Sequence, residues 1–282
     1  MTSLAAGDGE RLADGTGPAT PDGDNLLLDF VRGESASYAA LATAIGGRVL
    51  HDSALGLSLS DMGLPTPFGN TAHLTAPVRD RDAIVGALRA FFGAAPGGPY
   101  LVFSPWPTPD LRDAGFLAVG HPPVMFRPPG PFTRSEPASS AATVERSPWR
   151  IERATDAAQL ADFERVLVEA YPVEELQPYR QGSMLHADVL DSAWQFFVAY
   201  DGDRAVATAG AFVTDRITMV ELVAARPETR RRGIGAAVTA AATLAAPDRP
   251  ALLISSDLGR GVYEKLGYLP LLRYTLWIGL RA

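Results

Sequence analysis

Apolar and polar positions recur with regular spacing in two separate stretches of the chain. In the first stretch, spacing near 3.6 residues predicts a helix over 25–45 and another over 80–93. Alternation over 48–60 (RVLHDSALGLSLS) predicts a hairpin, and the apolar run 100–104 (YLVFS) predicts a strand. This mixture is typical of an α/β or α+β domain.

The second stretch has a longer series of elements. It predicts helices between 156 and 190, a helix from Gly233 to about Ala245, a short helix near 260, and the following strands: WRIERA, QFFVAYDG, AVATAGAFV, ITMVELVAA, ALLIS and LLRYTLWIG. Asp201, Gly202 and Asp203 lie between two of these strands, which is typical of a hairpin turn rather than a metal site.

Two domains are predicted, because 282 residues exceed what one typical core serves. Residues 1–23 lack periodicity and are predicted to be a disordered leader, whereas 128–148 is rich in proline and serine and predicts a linker. The domains would then be 24–127 and 149–282.

A short internal similarity supports this division. LVFS at 101–104 and LLIS at 252–255 are each followed, at nearly the same distance, by glycine, an aromatic residue and leucine, at 115–117 and 267–269. The similarity suggests an ancient duplication.

Composition and charge restrict the function. A hydrophobic content of 47% with 20% charged residues is that of a folded globular protein, and a formal net charge of −7 disfavours nucleic acid as a partner. The absence of cysteine excludes disulfides and thiolate chemistry, and the four scattered histidines predict no metal site. No signal peptide or membrane-spanning stretch is evident, so we expect a cytoplasmic protein with no membrane partner.

The segment 226–237 (RPETRRRGIGAA) joins a predicted strand to a predicted helix. Helix N-termini attract anions, and Gly233 and Gly235 would permit close approach of a phosphate. Val238 replaces the third glycine of a dinucleotide-binding fingerprint, which disfavours that motif. A solvated arginine cluster before a helix is the plainer alternative, although cations oppose the helix dipole there.

Residues 230–235 (RRRGIG) match the R/Q-x-x-G-x-G/A signature of the GCN5-related N-acetyltransferases (GNAT). The preceding VELVAARPE and the following GVYEKLGYLP extend the resemblance over about 195–278. The resemblance implies an α/β fold of two GNAT-like domains, each a mixed, mostly antiparallel sheet flanked by helices. The N-terminal domain would be a degenerate copy without a coenzyme site, since HLTAPVRDRDA lacks the glycine signature.

The resemblance also implies the residues that bind acetyl-CoA. The pyrophosphate would lie on the amides of the signature loop, the pantetheine arm would pair with the main chain of the preceding strand, and Ser256 stands where the family often has asparagine. The predicted coenzyme-binding residues are Val223, Ala224, Ala225, Arg230, Arg231, Arg232, Gly233, Ile234, Gly235, Ala236 and Ser256.

Two catalytic residues are predicted. Tyr263 matches the tyrosine that often serves as general acid in the family, and its alternative is a core tyrosine. Glu221 is the candidate base, because alternation places it on the same strand face as Val223 and Ala225 and its apolar neighbours favour a raised pKa. A structural ion pair is its alternative, and Glu174 and Glu175 are other possible bases.

The predicted activity is an N-acetyltransferase (EC 2.3.1.-). An acetyl group would move from acetyl-CoA to a primary amine by direct attack in a ternary complex, without a metal. The acceptor, a small molecule or a peptide, is unidentified, and the oligomeric state is open. The alternative is a non-catalytic acyl-CoA-binding or regulatory module.

Overall fold

The computed structural model describes residues 26–132, 149–171 and 173–281. The predicted leader 1–23 and most of the predicted linker lie outside the described residues. No helix within the described ranges is long and apolar enough to cross a membrane.

The N-terminal half follows the predicted order of elements. Its helices and strands are α1 (Leu26–Ala44), β1 (Arg48–Asp52), β2 (Leu57–Asp61), β3 (Asn70–Leu74), α2 (Arg81–Gly93), β4 (Tyr100–Ser104), β5 (Leu117–Gly120) and β6 (Pro123–Arg127). Short 3-10 turns lie at Pro67–Gly69 and Arg112–Ala114.

The C-terminal half is also close to expectation. Its elements are β7 (Arg150–Arg153), α3 (Ala157–Ala170), β8 (Trp194–Asp201), β9 (Arg204–Val213), β10 (Thr218–Ala225), α4 (Ile234–Thr243), β11 (Ala251–Ile254), α5 (Arg260–Lys265), β12 (Leu269–Arg273) and β13 (Thr275–Gly279). After α3, the predicted helical segment forms only 3-10 turns, at Glu174–Leu176 and Ala187–Asp191. The prediction of a single strand over LLRYTLWIG is wrong, because this segment divides into β12 and β13 at Tyr274.

Two sheets with the same pairing pattern confirm the predicted fold class. The strand orders are β1-β2-β3-β4-β13-β5 and β7-β8-β9-β10-β11-β6-β12. In each sheet one neighbouring pair is parallel, β3 with β4 and β10 with β11, and the other pairs are antiparallel. LVFS in β4 and LLIS at β11 therefore occupy corresponding places, as a duplication requires.

The two halves exchange a strand. β6 inserts between β11 and β12 of the C-terminal sheet, and β13 inserts between β4 and β5 of the N-terminal sheet. The boundaries predicted from the sequence, 24–127 and 149–282, therefore do not coincide with the sheets. Only Tyr274 separates β12 from β13, and a single residue cannot reverse a chain into a neighbouring antiparallel position, so the chain runs on into the other sheet.

An arginine with a buried side chain lies at or just after the C-terminal end of each exchanged strand. Arg127, at the end of β6, donates to the carbonyl oxygens of Leu266, Gly130 and Pro131 at 3.0, 2.9 and 3.1 Å. Arg281, after β13, donates to Asp61 Oδ1 at 2.6 Å. The bonds of Arg127 to Leu266 and of Arg281 to Asp61 join each exchanged strand to the half that receives it.

Helix α1 lies between the two halves. It packs on β2 and β3 and also on β10, where a Cβ on Gly33 would lie 3.1 Å from Met219 Sδ. The Trp194 indole donates to the Ser37 carbonyl oxygen at 3.1 Å, and Arg216 Nε donates to Asp29 Oδ2 at 2.6 Å. A helix of the N-terminal half thus forms one wall of the groove over the C-terminal sheet.

Candidate active site

The loop between β10 and α4 exposes a run of backbone amides. Gly233 at φ 83° forms the N-cap of α4, and Arg231 also has a positive φ, 61°. Among the described residues, the amides of 231–236 find no acceptor at hydrogen-bonding geometry. A Cβ on Gly233 or Gly235 would meet nothing within 4 Å, so the loop faces open space. The loop can therefore accept an anion at the helix N-terminus.

The three arginines of this loop have different environments. Arg230 donates to the Ala225 carbonyl oxygen at 3.0 Å and to that of Ala170, at the end of α3, at 3.1 Å. Arg232 lies 3.4 Å from Asp201 Oδ2 and 4.6 Å over the Trp149 ring. Arg231 is exposed, and no described residue is a partner for its guanidinium. Arg231 is therefore the arginine best placed to contact a ligand.

Strands β10 and β11 separate after a short paired region. Their parallel pairing covers only Thr218 with Ala251 and Met219 with Leu252. β10 continues to Ala225, so the main chain on this edge is unpaired beyond Met219. The opening between the strands leads toward the signature loop.

A β-bulge interrupts β10 at Leu222, whose φ is 54°. The bulge overturns the expectation that Glu221 shares a face with Val223 and Ala225. Glu221 faces the groove with Met219, whereas Val223 and Ala225 pack in the other core, beside α4. An extra residue in one strand shifts the alternation of side chains, which a period of two cannot reveal.

A cavity of about 280 Å³ lies in the groove between the halves. Its lining comes from α1, from the N-terminal strands and from both strands that flank the opening, including Leu222 and Ile254. Ser255, Ser256, Tyr171 and Met184 also line it. Glu164, which is buried on α3, accepts the Met184 and Leu185 amides at 2.6 and 3.0 Å and so holds this wall in place.

Glu221 is one of two carboxylates that line the cavity. Burial, and secondarily the charge of Glu34, raise its pKa to about 8. The hydroxyls of Ser37, at 3.1 Å from Oε1, and of Tyr38 oppose this rise by stabilising the carboxylate. The group can therefore hold or release a proton near neutral pH.

A second carboxylate lies beside it. Glu34 on α1 is 2% exposed, and its Oε2 has no hydrogen-bond partner, with His73 Nδ1 at 3.4 Å. The Tyr274 hydroxyl is buried nearby, and its pKa is raised well above the usual value by burial and then by Glu34. The cavity lining thus includes two acids, two tyrosines and two serines, and its other residues are apolar.

The sequence of this region matches a known domain family. Residues 192–270 match the model described as the acetyltransferase (GNAT) domain. This segment is a GNAT domain. It contains β8–β11, the signature loop, α4 and α5, which are the elements that form the opening.

Solved structures share the fold of most of the chain, including much of the half outside that match. A GCN5-related N-acetyltransferase from Kribbella flavida is 18% identical with a TM-score of 0.58, covering 86% of this chain and 94% of that one. A GCN5-related N-acetyltransferase-like protein from Streptococcus suis is 15% identical with a TM-score of 0.54, covering 90% and 99%. At this identity the likeness concerns the fold alone. A comparison with curated proteins finds no match.

The N-terminal half lacks both features of the GNAT site. β3 and β4 pair over the central three of their five residues, from Thr71 with Leu101 to His73 with Phe103. The α2 N-terminus is capped by the Asp80 carboxylate, which accepts the Ala83 amide at 3.0 Å. A carboxylate of the chain itself therefore occupies the place that an anion would take.

The predicted acid of the GNAT domain lies apart from the cavity lining. Tyr263, on α5, has its pKa raised to about 12 by burial and then by Tyr171. Tyr171 does line the cavity, and its own pKa is raised by burial and then by Glu221. Tyr171 is thus the tyrosine that interacts with both predicted catalytic residues.

The remaining predicted residues either bond to nearby residues or lie away from the cavity. The Ser256 hydroxyl accepts the Gly259 amide at 3.0 Å, which supports the start of α5. Glu174 and Glu175 are exposed and do not line the cavity. No group of three histidines or acids that could hold a metal occurs within the described residues.

Sequence reasoning missed the contribution of α1. Glu34 lies four residues from Phe30 and four from Tyr38, so it occupies the apolar face of its helix. A carboxylate at that position signals either a buried pair or a site. Tyr171 carried no such signal, because only the packing of the two halves brings it to the cavity lining.

Proposed function

We propose that the chain transfers an acetyl group from acetyl-CoA to a primary amine, an EC 2.3.1.- reaction. The observation that carries the proposal is the continuity of three features: an amide-lined loop, a strand opening, and a cavity with a half-buried carboxylate. Leu222 and Ile254 line both the opening and the cavity, so the two spaces meet there.

The loop and the strand suit two different parts of coenzyme A, the pyrophosphate and the pantetheine arm. The free amides of 231–236 and the guanidinium of Arg231 would bind the pyrophosphate, because successive N–H groups at a helix N-terminus favour anions. The main chain of β10 that is not paired with β11, near Val223, Ala224 and Ala225, would bind the pantetheine amides, although the Ala225 carbonyl oxygen already accepts from Arg230. Acetyl-CoA supplies the acyl group as a thioester.

Glu221 would serve as the base. The acceptor nitrogen forms a bond to the thioester carbonyl carbon, and the bond from that carbon to sulfur breaks. The proton released by nitrogen passes to the Glu221 carboxylate, whose pKa of about 8 suits this transfer. The departing thiolate takes a proton from a tyrosine hydroxyl, for which Tyr263 is the predicted donor and Tyr171 lies closer to the cavity.

A second function is favoured by one observation. Tyr263 does not line the cavity, so the chain would be a non-catalytic acyl-CoA-binding module if no other proton donor acts. Comparing Tyr263→Phe with Tyr171→Phe identifies the donor. Loss of activity in either variant, with acetyl-CoA binding retained, assigns the role to that tyrosine.

Thiol release separates the two functions. The chain has no cysteine, so a thiol reagent reports only coenzyme A. We expect calorimetry to show acetyl-CoA binding and a panel of amines to give thiol release with at least one member. Binding without thiol release for every amine class would favour the non-catalytic module, and absence of binding would refute both.

A further inference from the structure

The cavity wall is largely hydrocarbon. Aromatic and aliphatic side chains from both halves line it, among them Phe30, Phe68, Phe103, Met184, Met219 and Leu276. A volume of about 280 Å³ is at the small end for ligand pockets. Such a wall stabilises a compact apolar body and offers few partners for a ligand with many hydroxyl groups.

The charged groups of the cavity are both acidic. Glu34 from α1 and Glu221 from β10 line it, and the described lining contains no lysine, arginine or histidine. A ligand carboxylate or phosphate would therefore meet two acids and no cation. A ligand cation would be attracted to both.

Glu34 lines the cavity, and its buried Oε2 faces His73 Nδ1 at 3.4 Å without a hydrogen bond. A buried carboxylate with so few donors is costly. An ammonium group has three donors and would give this carboxylate a hydrogen bond while it lies next to Glu221. Glu34 would therefore bind the acceptor, a role that is separate from coenzyme binding.

From this lining we infer the acceptor class: a small monoamine with an aromatic or aliphatic body and no acidic group, whose ammonium lies between Glu34 and Glu221. The inference rests on the proposed acyl transfer and names its substrate class. Glu34 is the specificity-determining residue, and it is supplied by the N-terminal half. That half, which lacks a coenzyme site, thereby contributes half of the acceptor pocket.

A matched pair of ligands tests the inference on the unmodified protein. 2-Phenylethylamine and phenylalanine share the same body and amine and differ by one carboxylate. We expect kcat/KM for 2-phenylethylamine to exceed that for phenylalanine by about 100-fold, because like charges in a desolvated site repel strongly. Kanamycin and a lysine-containing peptide should be poor acceptors. A preference for phenylalanine, kanamycin or the peptide would overturn the inference and leave the acyl transfer standing.

A variant tests the role of Glu34. Glu34→Gln should raise the KM for 2-phenylethylamine about tenfold, with kcat less affected and the Kd of acetyl-CoA unchanged. Glu164→Gln is the matched control, since Glu164 is also a buried glutamate but holds the backbone around Met184. It should lower stability without changing the preference between the two ligands. An unchanged KM in a folded Glu34→Gln protein would remove Glu34 from the site.

Direct binding keeps the two proposals separate. Calorimetry of 2-phenylethylamine with the full chain, with and without coenzyme A, measures the pocket without any turnover. Binding that Glu34→Gln weakens supports the inference even if no thiol is released with any amine. If acetyl-CoA binds but 2-phenylethylamine does not, the inference is wrong; if Glu34→Gln does not fold, the matched ligand pair decides.

Discussion

Gly235→Glu should stabilise the fold and abolish most coenzyme binding. Gly235 lies in the first turn of α4, its φ is not left-handed, and a Cβ there would meet nothing within 4 Å. Replacing a helical glycine with glutamate contributes about 0.5 kcal/mol through helix propensity. A carboxylate in the first turn, where α4 has no acid, adds about 0.3–1 kcal/mol through the dipole.

The same carboxylate competes with the pyrophosphate. It would lie at the free amides of the loop and repel the ligand, and losing hydrogen bonds to a charged group costs about 1.5–3 kcal/mol. The Kd of acetyl-CoA should therefore rise by about 10- to 150-fold. The Asp80 carboxylate at the start of α2 is the natural example of this arrangement.

Calorimetry with acetyl-CoA and a thermal melt of the free protein measure the two effects. Gly86→Glu is the matched control, because Gly86 is also helical with open space at its Cβ position, but lies on α2. We expect both variants to be at least as stable as the parent chain and only Gly235→Glu to lose affinity. A stable Gly235→Glu protein with an unchanged Kd would refute the assignment of the loop.

Three further outcomes are expected. Because the base must be charged and its pKa is about 8, the rate of thiol release should rise with pH through 8. The Glu221→Gln variant should lose this rise, and its rate should be about 10²- to 10⁴-fold lower. Because the pKa of Glu221 is raised, its contribution to stability is present below about pH 4.5 and is lost as the pH rises to about 8. The glutamine variant should not show this loss in urea melts. Arg281→Ala should cost about 1.5–3 kcal/mol in urea melts, because the buried Asp61 loses one of its two arginine partners and keeps Arg48; a cost under about 1 kcal/mol would contradict this role. Fragment 149–281 alone should not melt cooperatively, since β12 pairs only with β6, whereas mixing it with 26–132 should restore a cooperative melt; a stable isolated fragment would argue against the strand exchange.

The signature loop and the elements around it could be predicted from the sequence because their causes are local. The glycines of 230–235 permit a left-handed turn and close approach, and the apolar period of 3.6 or 2 follows from the geometry of each element. These features were sufficient to predict the glycine turn before α4 and the duplicated pattern, whereas the coenzyme-binding role of the loop stays a prediction.

Only the tertiary structure decided which surfaces meet. The exchange of β6 and β13 is invisible in the sequence, because an apolar strand has the same pattern whichever sheet buries it. The bulge at Leu222 reversed the face on which Val223 lies, and the position of α1 brought Glu34 to the cavity. Local periodicity specifies what a segment buries but not its partner, and the cavity between the halves is formed by such partnerships.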